Sequence, residues 1–345
     1  MPVCLSHTSA LNFFRAAGAS NNDISSLPRT GKLDECGATN IAEALATNEF
    51  PLYLTPPIHV LVKGRSHSHA KEHVTRHACH TSLTNRSLVR VTDDLLVVSP
   101  ELCAIQLCAS LPELDAALGI FELCGTYSLP LNASCRPSAA RNSTSRQTYG
   151  FGDDAMQPAS PRTAEWGFSQ RATPLTSCKK ISSFADTIPG THGLTKLRTL
   201  LTYILDDSAS PMETAMALMI AGPPRIGGMG FKGAVLNRQV HTADGERRVD
   251  LLWPQYKFGL EYQGFDSHEG WANRVKDDRR RNAIAAKGIE IASVYYQDLA
   301  NPYYFDKLIA SIAKIMKKRI RITTTEHQFR QMTLRKAVLP PVAGI

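Results

Sequence analysis

Between positions 132 and 180 the chain holds one Val, Ile or Leu, at Leu175, and is otherwise rich in Ser, Thr, Pro, Gly and Arg. Such a stretch cannot bury enough apolar surface to offset its ordering entropy. It reads as a linker or long loop and forces the folded structure into a part before it and a part after it. We take 1–131 as a small mixed α/β N-terminal region, 132–193 as the linker, 194–319 as a second domain and 320–345 as a basic tail. A length of 345 residues suits two domains, at roughly 100–200 residues each.

Composition removes several classes. With 43% hydrophobic residues the chain is neither wholly disordered nor collagen-like. Its eight cysteines form no CxxC pair, so reduced, buried thiols are expected rather than a disulfide scaffold. The most apolar window, from Leu95 to Leu111, is interrupted by Pro100 and Glu101, short of the roughly 20 residues a membrane helix needs. The first residues lack a basic n-region and a continuous apolar run. A cytoplasmic protein with no membrane partner is expected.

Charge is unevenly spread. Met1 to Pro224 nets −1, whereas Arg225 to Ile345 nets +9. A basic segment of this kind favours a polyanion, since each neutralised phosphate releases condensed counterions, or else forms a solubilising surface.

Periodicity predicts a short helix in SHTSALNFFRAAG, strands at 58–64 and 87–99, a helix opened by Pro100, and another ending at Gly125. After the linker the predicted order is helix, three strands, a charged helix from about Trp271 to Lys287 stopped by Gly288, a strand, and a closing helix. The tail from Ile320 reads as frayed.

The strongest signal lies between Arg247 and Gly264. Trp253-Pro254-Gln255-Tyr256 reads as a turn between strands, because proline is excluded from a sheet interior. A turn centred between Gln255 and Tyr256 sets Asp250 directly opposite Glu261, with roughly 4.5–5.5 Å between Cβ atoms and both side chains on one face. Gln263 shares that face by the period of two. Facing carboxylates destabilise a sheet unless something positive lies between them. A hard divalent cation, Mg²⁺ or Mn²⁺, answers that need. So does an exposed hairpin neutralised by Arg247, Arg248 and Lys257.

The segment RVDLLWPQYKFGLEYQG, then His268, then DDRRRNAIAAKGIEIASV resembles the PD-(D/E)xK nucleases. Within them it is most similar to domain of unknown function 559, whose members look like very-short-patch-repair endonucleases. SPMETAMALMI, GGMG and VLNRQV also match how those proteins begin, so the resemblance covers about 195–318. Residues 1–131 more loosely resemble an abortive-infection antitoxin-like module. The resemblance implies a restriction-endonuclease-like, three-layer α/β/α core and divalent-metal hydrolysis of DNA phosphodiester bonds. Asp250 matches the metal-binding Asp, Glu261 the second acidic ligand and Glu213 the acid on the first core helix. Gln263 falls where many of these nucleases have Lys, and His268 where the repair-endonuclease-like branch has His. Expected partners are DNA, a second copy in a homodimer and a toxin–antitoxin partner.

Each residue also has a plainer role. Ser210-Pro211-Met212-Glu213 is a capping box, which by itself explains Glu213. His268 alone would be a loop histidine. Arg274, Lys276, Arg279, Arg280 and Arg281 either hold a phosphate backbone or form a solvated helix face with Asp277 and Asp278. A Gln at 263 cannot supply the charge of Lys or act as a base, so the rival expectation is a catalytically degenerate nucleic-acid-binding module. In the N-terminal region, His69, His73 and His77 would share one face of a helix, where zinc accepts such ligands. The alternative is a hydrated basic loop that also holds His67, Cys79 and His80.

Overall fold

The computed structural model describes residues 2–33, 36–37, 41–46, 54–64, 73–80, 82–131, 167–243, 245–264, 279, 281–320 and 324–340. The fold is mixed α/β. Among these residues no helix is long and apolar enough to cross a membrane.

The N-terminal part is a six-stranded sheet. Its strands are β1 (Val3–Leu5), β2 (Arg29–Thr30), β3 (Ile58–Lys63), β4 (Val74–Cys79), β5 (Leu88–Arg90) and β6 (Leu95–Val98), ordered β2-β5-β6-β1-β3-β4. The pairs β1/β6 and β3/β4 are parallel. Leu95 to Val98 are all fully buried, which is why β6 reads as an unbroken apolar run rather than an alternating one. Ser99 caps the helix α3 (Pro100–Ser110), accepting from Leu102 N–H at 3.2 Å, with Pro100 in the first turn. Helix α1 (His7–Ala19) is tied to α4 (Glu113–Cys124) by a buried ion pair in which Arg15 donates to both Glu122 oxygens, the shortest contact being 2.7 Å. The helix ends at Gly125, as its spacing predicts, but the residue is extended at φ −100 rather than left-handed. Glycine is needed there for close approach: a Cβ would stand 2.5 Å from the Ser208 carbonyl oxygen.

Residues 132–166 of the expected linker lie outside the described residues. The rest of that stretch is folded. Ser169–Gln170 (β8) pairs with Tyr127–Ser128 (β7), and Cys178–Ala185 forms α5. The expectation of a linker to 193 fails here because Ile181, Phe184 and Ile188 recur at helical spacing and are buried against the core. Helix α3 packs on both α5 and α6 (Leu194–Leu200). Buried side chains from Val3 to Leu339 form one contiguous cluster, so the N- and C-terminal parts share a core.

The C-terminal part begins with α7 (Pro211–Met216), which runs on into a π-helical turn over Ala217–Ala221. Strands β9 (Val235–Thr242), β10 (Gly245–Trp253), β11 (Phe258–Gln263) and β12 (Glu290–Tyr295) follow, ordered β12-β11-β10-β9. The first three form an antiparallel meander and β12 lies parallel to β11. Helical residues 281–285 precede β12, and Gly288 at φ +72 ends the segment. Helix Pro302–Ile315 buries Phe305, Ile309 and Ile312 in the main core. The expected frayed tail contains a helix, Thr325–Val338, because Leu334, Ala337 and Val338 make an apolar stripe that packs beside α7.

Candidate functional site

The Trp253–Tyr256 turn sets the hairpin register. Leu251 pairs with Leu260, Leu252 with Gly259 and Trp253 with Phe258, the register that places Asp250 opposite Glu261 one step further on. Leu251, Trp253, Phe258 and Leu260 belong to the main core, while Leu252 packs in a smaller cluster with Val249 and Ile284. A Cβ on Gly259 would touch Val249 and Ile291, members of that smaller cluster. By alternation Glu261 and Gln263 therefore lie on the smaller cluster's face.

Beyond Leu251–Leu260 the strands part. Asp250 Oδ2 accepts from Tyr262 N–H at 2.8 Å, so a carboxylate takes up a main-chain donor where the ladder has run out. Val249 also lies on the smaller cluster's face, which breaks the alternation next to Asp250. On the other side of β10 the break has a visible partner: Asn237, across from Asp250 on β9, has φ +49. Its Nδ2 donates to the Asp207 carbonyl at 2.8 Å and to Glu213 Oε2. Asn237 was not singled out by the sequence reading. An Asn inside a strand, a residue tolerant of the left-handed region, is the one signal that marks it.

Glu213 is the capping residue its sequence predicts. Ser210 accepts from Glu213 N–H at 3.2 Å, and the carboxylate accepts in return from Ser210 Oγ at 3.2 Å and from Ala209 N–H at 2.7 Å. The returning bond thus reaches the main chain one residue before the cap. Burial pushes the Glu213 carboxyl up to about 7, with the Asp250 charge adding to the shift. Capping and proximity to Asp250 coexist in the same side chain.

Glu261, in the middle of β11, is 4% exposed. Its register partner on β12 is Ser293, whose hydroxyl accepts from Arg281 Nη2. Arg281 thereby reaches across the smaller cluster's face to the neighbour of Glu261. Gln263 is half-buried at the end of β11, and Arg279 is exposed. His268, Arg274, Lys276 and Arg280 lie outside the described residues. A cleft of about 810 Å³ runs along β9 and is lined by Asp206, Asp207, Asn237, Arg238 and Arg248.

No protein-family model, curated protein or solved structure matches the chain. The site therefore rests on its own geometry and on the motif.

Among the described residues, two groups of three side chains bring metal-ligating atoms within 4.8 Å of one another, and neither includes Asp250 or Glu261: His7, His59 and His77, and Cys124, Cys178 and Asp206, the last two of which line the β9 cleft. The expected helical face of His69, His73 and His77 is not formed. Residues 74–79 are instead the strand β4, paired along its length with β3, as β-branched Val74 and Thr75 favour. His67 and His69 lie outside the described residues.

Proposed function

We propose that the C-terminal part is a metal-dependent endonuclease of the PD-(D/E)xK class, with a restriction-endonuclease-like core, acting on DNA. The observation that carries the reading is the divergence of β10 and β11 at Asp250, one register step from a buried Glu261 whose β12 partner Ser293 accepts from Arg281. The element order, one helix, three antiparallel strands, a helical segment and a parallel strand, supports the same class.

Asp250 and Glu261 offer hard oxygen donors, which fits Mg²⁺ or Mn²⁺. Mg²⁺ keeps several waters and takes only one or two carboxylates together with substrate phosphate, so two protein acids suffice. Once bound, such an ion supplies a water of lowered pKa and charge to oppose that of the reacting phosphate. The chain's residues do the remaining work. The Tyr262 N–H fixes the Asp250 carboxylate, the Asn237–Glu213 pair fixes the β9 side, and Arg281 is a guanidinium for the phosphate backbone next to Glu261.

One observation favours the rival reading, a nucleic-acid-binding module without activity: Gln263 brings no cation to the position where a Lys is common. The test is cleavage of supercoiled DNA in Mg²⁺ or Mn²⁺ by wild type, Asp250→Ala and Glu261→Ala. Metal-dependent nicking abolished by both substitutions is the expected outcome. Salt-sensitive DNA binding with no cleavage by wild type would replace the nuclease with the binding module.

A further inference from the structure

The second constellation sits at the opposite end of the chain, at the outer edge of the six-stranded sheet. His59 on β3 and His77 on β4 share a face, since His59 pairs with Thr75 and Leu61 with His77 in parallel register. Their Nδ1 and Nε2 atoms are 2.8 Å apart. His7, at the first position of α1, stacks on His77 with ring centroids 3.6 Å apart and lies 5.7 Å from His59.

The backbone of His7 is held in place for this. Its φ of +52 is uncommon for a residue other than glycine. Its N–H donates to Gln106 Oε1 at 2.9 Å and its carbonyl accepts from the Cys103 thiol at 3.5 Å. Ser6 Oγ lies 3.1 Å from His7 Nδ1, an arrangement that occupies one ring nitrogen and leaves the other, Nε2, as the ligand atom.

We propose that His7, His59 and His77 form a binding site for one divalent cation of the zinc class, which pins the edge strand β4 to the N-terminus of α1. Three imidazoles select Zn²⁺, Co²⁺, Ni²⁺ or Cu²⁺ over Mg²⁺ or Ca²⁺, so this site is chemically separate from the carboxylates of the C-terminal sheet. Tetrahedral bonds of about 2.0–2.1 Å set ligand nitrogens roughly 3.3 Å apart. That spacing lies between the 2.8 Å His59–His77 contact and the 4.8 Å limit of the group, and because His77 stacks on both partners at 21–23° its ring must turn out of the stack for the three in-plane lone pairs to meet at one ion. On binding, the proton between His59 and His77 moves to the other nitrogen of the ring that carries it, a tautomer change that frees both facing lone pairs for the ion. The thiols of Cys124 and Cys178 are a poorer set. Cys124 is held protonated by its neighbour Cys178 and by burial, and Asp206 already accepts from the Cys178 N–H at 2.8 Å.

The experiment titrates Co²⁺ into the full chain after chelator treatment, for wild type, His59→Asn, His77→Asn and Cys178→Ser. Expected are one equivalent with tetrahedral d–d absorption and no thiolate charge-transfer band, binding roughly 100-fold or more weaker in both histidine variants, and no change in Cys178→Ser. Wild type should also show three paramagnetically shifted imidazole N–H resonances, a readout independent of how any variant folds. No tetrahedral band in wild type, bands retained in His77→Asn, or a thiolate band lost in Cys178→Ser would each overturn the assignment.

Discussion

Glu213 carries a measurable cost. It is 8% exposed, and its folded-state carboxyl is held at about 7 against an ordinary 4.5, by burial first and the Asp250 charge second. Ionising it in the folded state is therefore on the order of 3 kcal/mol less favourable than in the unfolded chain. Near pH 4 both states are protonated and no penalty applies. As pH rises from about 4.5 to about 7 the unfolded chain releases its proton first, so this group's contribution to stability falls, and the loss is complete above about pH 7.5. Glu213→Gln keeps an oxygen to accept from Ala209 N–H and Asn237 while removing the charge. Urea denaturation at pH 4.5, 6 and 8, followed by the fluorescence change on exposing buried Trp253, measures the difference. The variant should be within about 1 kcal/mol of wild type at pH 4.5 and more stable by about 1–3 kcal/mol at pH 8. A wild-type-minus-variant difference that does not change with pH would refute the reasoning.

Two further predictions concern packing. Arg15→Met strands the Glu122 carboxylate at 1% exposure and should cost about 3–5 kcal/mol by chemical denaturation, most of it recovered in the Arg15→Met/Glu122→Leu double variant. A smaller single loss than that of the double variant would contradict this. Gly259→Ala would put a Cβ 2.6 Å from Val249 and 2.9 Å from Ile291. It should cost about 1–3 kcal/mol, and Val249→Ala in the same chain should relieve part of it, read from the two urea midpoints.

Local chemistry made much of the C-terminal sheet legible. The Pro254 turn set the hairpin register, Ser210 and Pro211 started α7, and Gly288 ended the segment before β12. Each is a short-range signal whose physics is complete within a few residues. What stayed hidden depends on distant partners. The left-handed Asn237 is explained by Glu213 and Asp207, which lie 24 and 30 positions away. His77 looked like one member of a histidine run until β4 carried it to His7. The apolar positions of α5 and of Thr325–Val338 were spaced for helices, but polar residues diluted them, and only their packing against α3 and α7 shows what they bury. The burial of Glu261 accords with its apolar strand neighbours Phe258 and Leu260, whereas the approach of Arg281 to Ser293 depends on the parallel placement of β12.

The common core also sets an order of events on the ribosome. The face of α3 that packs on α5 and α6 is synthesised roughly 70 residues before those helices, and at ~5–20 residues per second it waits about 4–14 s for them. Throughout that interval Ile105, Leu107 and Cys108, fully or almost fully buried in the finished protein, have only the N-terminal sheet, α1 and α4 for shelter. The nascent N-terminal region thus carries unburied apolar surface until the segment beyond residue 178 emerges, and it completes its own packing only when the second half of the chain has begun.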